Sequence, residues 1–343
     1  MERSSEVILR NAARLPAGGV LLLNPPRDTL GGQLATPERP VECFTQHWGD
    51  YRWLAASGAE VQFGLTPTPE QIAAVNILHL PREKDLLEMM LHALASAMPS
   101  SSSLWLVGEN KAGIKSSPRH LERFFGHVTK LDSARHCGLF EAREPLPGKA
   151  WSLEAYQSQW SFHYAGRDLE AISLPGVFAH GRPDPGSQLL LSTLESLKPA
   201  GEILDFACGS GILGCALLAA DDDAKLTLLD VSSLALHASQ QTLDHNRQKA
   251  ELLPSDGLSE AHDRFDWIIS NPPFHRGIHN DLEIAADFFA RAGTFLADNG
   301  RIVVVCNRHL PYLKWLQDHF KHVEQLAADG QYTIIMASSP RNG

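Results

Sequence analysis

The chain has 343 residues, 43% of them hydrophobic and 20% charged, and its 30 basic and 40 acidic side chains leave a net charge of −10. At about 150 residues per domain this is enough for two hydrophobic cores, and the composition excludes a disordered, collagen-like or coiled-coil chain. No apolar run reaches the roughly 18 residues of a transmembrane helix, the start lacks a signal peptide's pattern, and five cysteines without a CxxC pair argue against a disulfide framework or a zinc site, so a reducing cytoplasm is expected.

In chain order, the first half offers short apolar runs at 19–24, 60–65, 76–80 and 103–108. The triplet Asn24-Pro25-Pro26 follows the first run, where a cofactor loop would be expected, and Arg27 stands in place of an aromatic; it is not read as a catalytic turn. Residues 111–135 bring Lys111, Lys115, Arg119, Arg123, Lys130 and Arg135 against only Glu122 and Asp132, with His120 and His127 among them. Residues 1–150 hold 16 basic and 16 acidic side chains while residues 151–343 hold 14 and 24, so the acidic excess lies wholly in the second half. The basic window is either a solvated face or an electrostatic footprint for phosphate. The Pro- and Gly-punctuated stretch 141–160 reads as a boundary, giving domains at 1–150 and 160–343.

The second half repeats the pattern, with apolar runs at 202–207, 225–230, 265–270, 301–306 and 332–337 and helical patterns at 233–247 and 282–296. Strand and helix alternating at this spacing predict an α/β fold with a mostly parallel, doubly wound sheet. The pattern F-x-H-V-x-x-L occurs at Phe125–Leu131 and again at Phe320–Leu326, an offset of 195 residues, close to the 183 between Leu21 and Leu204 in the two first strands. Two halves with matching strand order predict a duplicated fold.

The chemistry concentrates in the second half. An apolar strand carrying Asp205 enters the glycine-rich turn Ala207-Cys-Gly209-Ser-Gly211 and opens a helix, a loop that lets a ligand approach the backbone. A dinucleotide site is one reading of such a loop. Asp230 ends the next strand, where a carboxylate can accept from both hydroxyls of a ribose. Directly after the strand 265–269 comes Asn271-Pro272-Pro273-Phe274. Its prolines lack N–H donors, leaving carbonyls and the Asn271 side-chain oxygen as acceptors for both hydrogens of an NH2 group, with Phe274 to stack on the attached ring. His275 is adjacent and could take a proton, though it reads better as a surface side chain.

Taken together, the sequence around Asp205–Gly211, Asp230, Asp256 and Asn271–Phe274 resembles the class I S-adenosylmethionine-dependent amino-methyltransferases. With LPGVF at 174–178, GSQLLLSTL at 186–194 and a methyltransferase-like first half, the whole chain resembles the small-subunit ribosomal RNA guanine-N2 methyltransferase C family. The resemblance implies two tandem Rossmann-like class I methyltransferase folds, each with a seven-stranded sheet, the first degenerate and used for RNA docking or stability. It implies S-adenosylmethionine as cofactor, no metal, and methylation of the exocyclic N2 of a guanine in 16S ribosomal RNA, that at position 1207. It places Asn271, Pro272 and Phe274 at the target base. Gly209 and Gly211 would lie at the methionine part of the cofactor, Asp205 at its amino group or the loop, Asp230 at the ribose and Asp256 at the adenine amino group. Phe178, Gly186 and Ser187 would cover the methionine end, although Ser187 reads equally well as a helix N-cap. Where many class I enzymes have the first glycine of the loop this chain has Ala207, which is tolerated if it still ends the strand in β conformation. The basic window would be the RNA-docking face of a monomer acting on 16S RNA or the small ribosomal subunit, without a membrane.

Other functions stay open at this point. An NPP-aromatic turn can hold a protein glutamine amide for N5-methylation, the guanine could lie in 23S RNA, and a non-catalytic RNA-binding assembly factor could retain the fold. A DNA adenine methyltransferase fits less well, since no specificity domain is evident.

Overall fold

The computed structural model describes residues 1–148, 150–272 and 279–341, with the side chains of 279–282 left aside. The chain divides into two compact units, Met1–Tyr156 and Gln157–Gly343. In the first unit the strands are β1 (Val20–Leu23), β2 (Val41–Thr45), β3 (Glu60–Phe63), β4 (Val75–His79), β5 (Ser103–Glu109), β6 (Phe125–Ala134) and β7 (Cys137–Pro145), in the spatial order β3-β2-β1-β4-β5-β7-β6. The second unit opens with a hairpin of β8 (Ser158–Tyr164) and β9 (Arg167–Ser173). It continues with β10 (Glu202–Phe206), β11 (Lys225–Asp230), β12 (Glu251–Pro254), β13 (Phe265–Ser270), β14 (Leu296–Asn307), β15 (Phe320–Ala328) and β16 (Tyr332–Pro340), in the order β12-β11-β10-β13-β14-β16-β15. The two seven-stranded sheets therefore have one topology, five parallel strands followed by an antiparallel pair.

The central parallel strands carry helices on both faces, and so read as unbroken apolar runs such as Val20–Leu23, where every residue is buried. The F-x-H-V-x-x-L repeat falls on β6 and β15, the edge strand of each sheet, paired antiparallel to β7 and β16, where Phe125 and Phe320 are buried and His127 and His322 are exposed. Because β7 runs on to Pro145 and β8 starts at Ser158, the connection covers 146–157; residues 141–145 belong to the first sheet, not to a linker.

The helix Ile212–Ala220 is buried on all sides, as its unbroken apolar sequence requires. The β8–β9 hairpin is tied to the helix Ser233–His245 and its C-cap: Ile172 N–H donates to Thr242 Oγ1 at 3.0 Å, and Asn246 Nδ2 to the Glu170 carbonyl at 2.7 Å. In the core of the second unit Phe206 stacks on Phe288 with ring centroids 4.0 Å apart. Among the described residues no helix is long and apolar enough to cross a membrane.

Candidate active site

The site builds on the C-terminal ends of β10, β11, β12 and β13, the edge at which open parallel sheets bind ligands. Gly209, Gly211 and Gly214 stand at G-x-G-x-x-G spacing, and each glycine has its own reason. Gly209, at φ +57°, faces open space, with nothing within 4 Å of where a Cβ would lie. Gly211, at φ +73°, caps the helix Ile212–Ala220, and a Cβ there would meet Ser239 Oγ at 2.9 Å and its Cα at 3.0 Å. Gly214 lets that helix press on the sheet, since a Cβ would lie 2.9 Å from Leu226 and 3.0 Å from Leu228. Ala207 departs from expectation: it does not continue the strand in β conformation but sits at φ +59°, in the left-handed region that disfavours a Cβ. The chain must reverse there to bring the loop over the strand end, and Asn24 does the same after β1 at φ +50°.

Asp230 braces the loop. Its Oδ2 accepts from Gly209 N–H at 3.0 Å and its Oδ1 from Ser232 N–H at 2.9 Å. Ser239 holds the loop's other side, its Oγ donating to the Gly209 carbonyl at 3.0 Å. Asp205 is completely buried. Its Oδ2 accepts from Gly214 N–H at 3.1 Å, while Oδ1 has no hydrogen-bond partner. Burial, aided by the nearby Asp230 and opposed by the Gly214 N–H, pushes its pKa up to about 7. An open glycine surface beside an unmet buried carboxylate oxygen fits a ligand with a cationic head, such as the ammonium group of the cofactor that the resemblance implies. Asp256 lies two residues beyond β12, whose Pro254 is in register with Asp230, so it stands on the same edge.

At the end of β13, Asn271 is half-buried and Pro272 buried. Asn271 Nδ2 donates to Asp184 Oδ2 at 3.0 Å and to Ser187 Oγ at 2.9 Å. Both amide hydrogens are thus committed, and Oδ1 remains as the acceptor. Phe274 and His275 lie outside the described residues. Ser187 is not the helix cap: the helix Pro185–Leu197 is capped by Asp184, which accepts from Ser187 N–H at 2.8 Å, with Pro185 at the first helical position. Gly186 has a packing reason to lack a side chain, since a Cβ would lie 3.0 Å from Asp184 Oδ2 and 3.1 Å from the Tyr332 ring. Phe178 is 45% exposed, a large apolar ring on the surface of the segment leading to this helix. Asp184 and Ser239 were not evident as site residues in the sequence. The Asp-Pro-Gly-Ser run is a helix-start signal that could have found the first; nothing local marks the second.

The corresponding edge of the first unit is built differently. The register pairs Leu23 with Leu78 as it pairs Phe206 with Ser270, so His79 stands where the second unit has Asn271. His79 is half-buried, its Nε2 enclosed and unpartnered, and loss of solvation pushes its pKa down to about 4. Asn24 is occupied within the fold, accepting from Gln46 N–H at 2.9 Å and donating to Gln46 Oε1 at 3.1 Å. Of the basic window, Lys111 pairs with Glu109 at 2.9 Å, Arg135 with Glu6 at 3.0 Å, and Arg123 with Glu88. Lys115, Arg119 and Lys130 are exposed.

A family model for the methyltransferase small domain matches residues 168–336, and one for its N-terminal domain matches residues 5–160. The ribosomal RNA small subunit methyltransferase C of Stutzerimonas stutzeri is 38% identical over 98% of this chain and 99% of its own. That of Pseudoalteromonas atlantica is 34% identical over 97% and 98%. Among solved structures, the T. thermophilus 16S rRNA N2 G1207 methyltransferase in complex with AdoMet and guanosine shares the fold, with a TM-score of 0.86 at 23% identity over 98% of this chain and 92% of that one.

Proposed function

The chain belongs to the ribosomal RNA small subunit methyltransferase C family, and we propose that it methylates the exocyclic N2 of guanine 1207 in 16S ribosomal RNA, the target of the T. thermophilus protein. When bound, S-adenosylmethionine supplies an electrophilic methyl group on sulfur. Gly209 and Gly211 would accommodate its methionine part, Asp205 its ammonium, Asp230, at the end of β11, its ribose, and Asp256 its adenine. Phe178, on the segment before the Asp184-capped helix, is assigned to the same ligand.

The observation that carries the reading is the Asn271 amide, whose two N–H groups are used within the protein. Guanine N2 is a poor nucleophile because its lone pair is delocalised into the ring. Asn271 Oδ1 and the Pro272 carbonyl accept its two hydrogens, draw the nitrogen toward tetrahedral geometry and free the lone pair. The acceleration comes from positioning and preorganised acceptors. A base leaving its stack costs a few kcal/mol; stacking on Phe274 offsets about 1–3 kcal/mol of that. The first unit, with Asn24 and His79 in place of a cofactor loop and an amine-binding turn, supplies no second active site and serves RNA docking through its basic window, in a monomer acting on the RNA or the small subunit. Asn271→Ala tests the assignment: turnover falls on the order of 100-fold or more while S-adenosylmethionine affinity stays within a few-fold. A variant retaining more than about a tenth of the turnover would remove Asn271 from its role.

A further inference from the structure

A hydrogen-bonded amide can point either way, and the two orientations of Asn271 have opposite consequences. With Oδ1 toward the substrate it accepts from the target amine; reversed, it presents an NH2 donor to another NH2 donor. The neighbours of Asn271 differ in their power to choose. Ser187 Oγ, 2.9 Å away, is a hydroxyl that donates or accepts and so serves both orientations. Asp184 Oδ2, 3.0 Å away, belongs to a carboxylate, which only accepts and would repel a carbonyl oxygen turned toward it. That same oxygen accepts from Ser187 N–H at 2.8 Å, which anchors it to the first turn of the helix Pro185–Leu197. Gly186 leaves it unobstructed, since a Cβ there would approach it to 3.0 Å.

We infer that Asp184 is a positioning residue for methyl transfer: its helix-capping oxygen sets the Asn271 amide so that Oδ1 alone faces the target amine. Helix capping and amide selection thus reside on one oxygen atom, which sits 87 residues before the side chain it orients. The inference rests on the reading of Asn271 as the amine acceptor.

The two roles separate by substitution. Serine caps a helix about as well as aspartate but is too short to reach Asn271 as well. Asparagine keeps an accepting oxygen for both bonds. In single-turnover methylation of unmethylated small-subunit RNA, Asp184→Ser is expected to lower the rate of the chemical step about 10- to 100-fold, with S-adenosylmethionine affinity, RNA affinity and melting temperature close to those of the unsubstituted protein. Asp184→Asn is expected to recover most of that loss. In an Asn271→Ala background, Asp184→Ser is expected to add less than about a twofold further effect, because coupled residues are not additive. If Asp184→Ser keeps more than half the rate while Asn271→Ala is inactive, the selection role is refuted and the reading of Asn271 stands. Equal losses in Asp184→Ser and Asp184→Asn refute it too, since they would point to charge, not amide orientation. If Asn271→Ala is itself active, it is the underlying reading that fails. Should Asp184→Ser fold poorly, the Asn271 side-chain NH2 resonances of 15N-labelled protein decide: hydrogens protected from solvent exchange support the clamp, and free exchange overturns it.

Discussion

Replacing Asp205 by Asn separates what this carboxylate does for the fold from what it does for the cofactor. In the folded chain Asp205 is fully buried and its pKa is raised from 3.8 to about 7. A group whose folded pKa lies above its unfolded value contributes stability that is complete below pH 3.8 and is lost as pH rises to about 7. At 1.36 kcal/mol per pH unit, the ionised carboxylate therefore destabilises the second unit by about 4 kcal/mol at pH 8. Asparagine keeps an oxygen for the Gly214 N–H but leaves a neutral amide group unmet, which costs roughly 1–2 kcal/mol. The net expectation is a gain of about 2–3 kcal/mol for Asp205→Asn in the cofactor-free protein at pH 8, or roughly 5–10 °C for a unit of this size. That gain should fall as pH drops below about 7 and turn into a loss of about 1–2 kcal/mol near pH 4, where only the cost of the unmet amide remains. On the proposed role of Asp205 at the cofactor's ammonium, the same substitution should weaken S-adenosylmethionine binding at pH 8. The assay is scanning calorimetry of the full chain between pH 4 and 8, following the transition that S-adenosylmethionine shifts. A melting difference that is absent at pH 8, or that does not change with pH, would refute the reasoning.

Ala207 sits at φ +59°, so Ala207→Gly should relieve about 1–2 kcal/mol of left-handed strain against about 0.4–1 kcal/mol of added unfolded-chain entropy, for a net rise of about 0.5–1 kcal/mol measured by urea unfolding. His79, with its pKa lowered from 6.5 to about 4, contributes stability that is present above pH 6.5 and lost as pH falls toward 4. The loss should reach about 3 kcal/mol in the first unit, and His79→Leu should flatten that part of the pH profile. Exchanging Lys115, Arg119 and Lys130 for Gln should weaken RNA binding and reduce the slope of log affinity against log salt by about 2–3, leaving S-adenosylmethionine affinity unchanged; an unchanged slope in filter-binding titrations would take the window away from RNA.

Sequence reveals elements best where burial is uniform. The β1, β10, β13 and β14 runs are apolar because helices cover both faces, and they were legible at once. Among the strands that did not stand out were β2, with Val41 and Glu42 only half-buried; β12, a four-residue edge strand with none of its residues fully buried; the β8–β9 hairpin, with β8 mostly exposed or half-buried; and β6 and β15, whose faces are largely exposed. For β6 and β15 the F-x-H-V-x-x-L repeat was the better guide, because it marked equivalent places in two copies of one topology. In the site, the glycine loop and the Asn271-Pro272 turn were readable because their chemistry is local. The left-handed Ala207 was not, since its conformation is set by the path of the loop and not by its own side chain. The clamp on Asn271 was hidden for the same kind of reason: Asp184 and Ser187 meet it only through the fold.

The most direct test of the account is nucleoside mapping of 16S ribosomal RNA after reaction with the purified protein and S-adenosylmethionine. The account predicts one N2-methylguanosine, at position 1207, absent when Asn271→Ala replaces the unsubstituted protein. Methylation at another nucleotide, in 23S RNA or on a protein glutamine, or an undiminished product from Asn271→Ala, would contradict it.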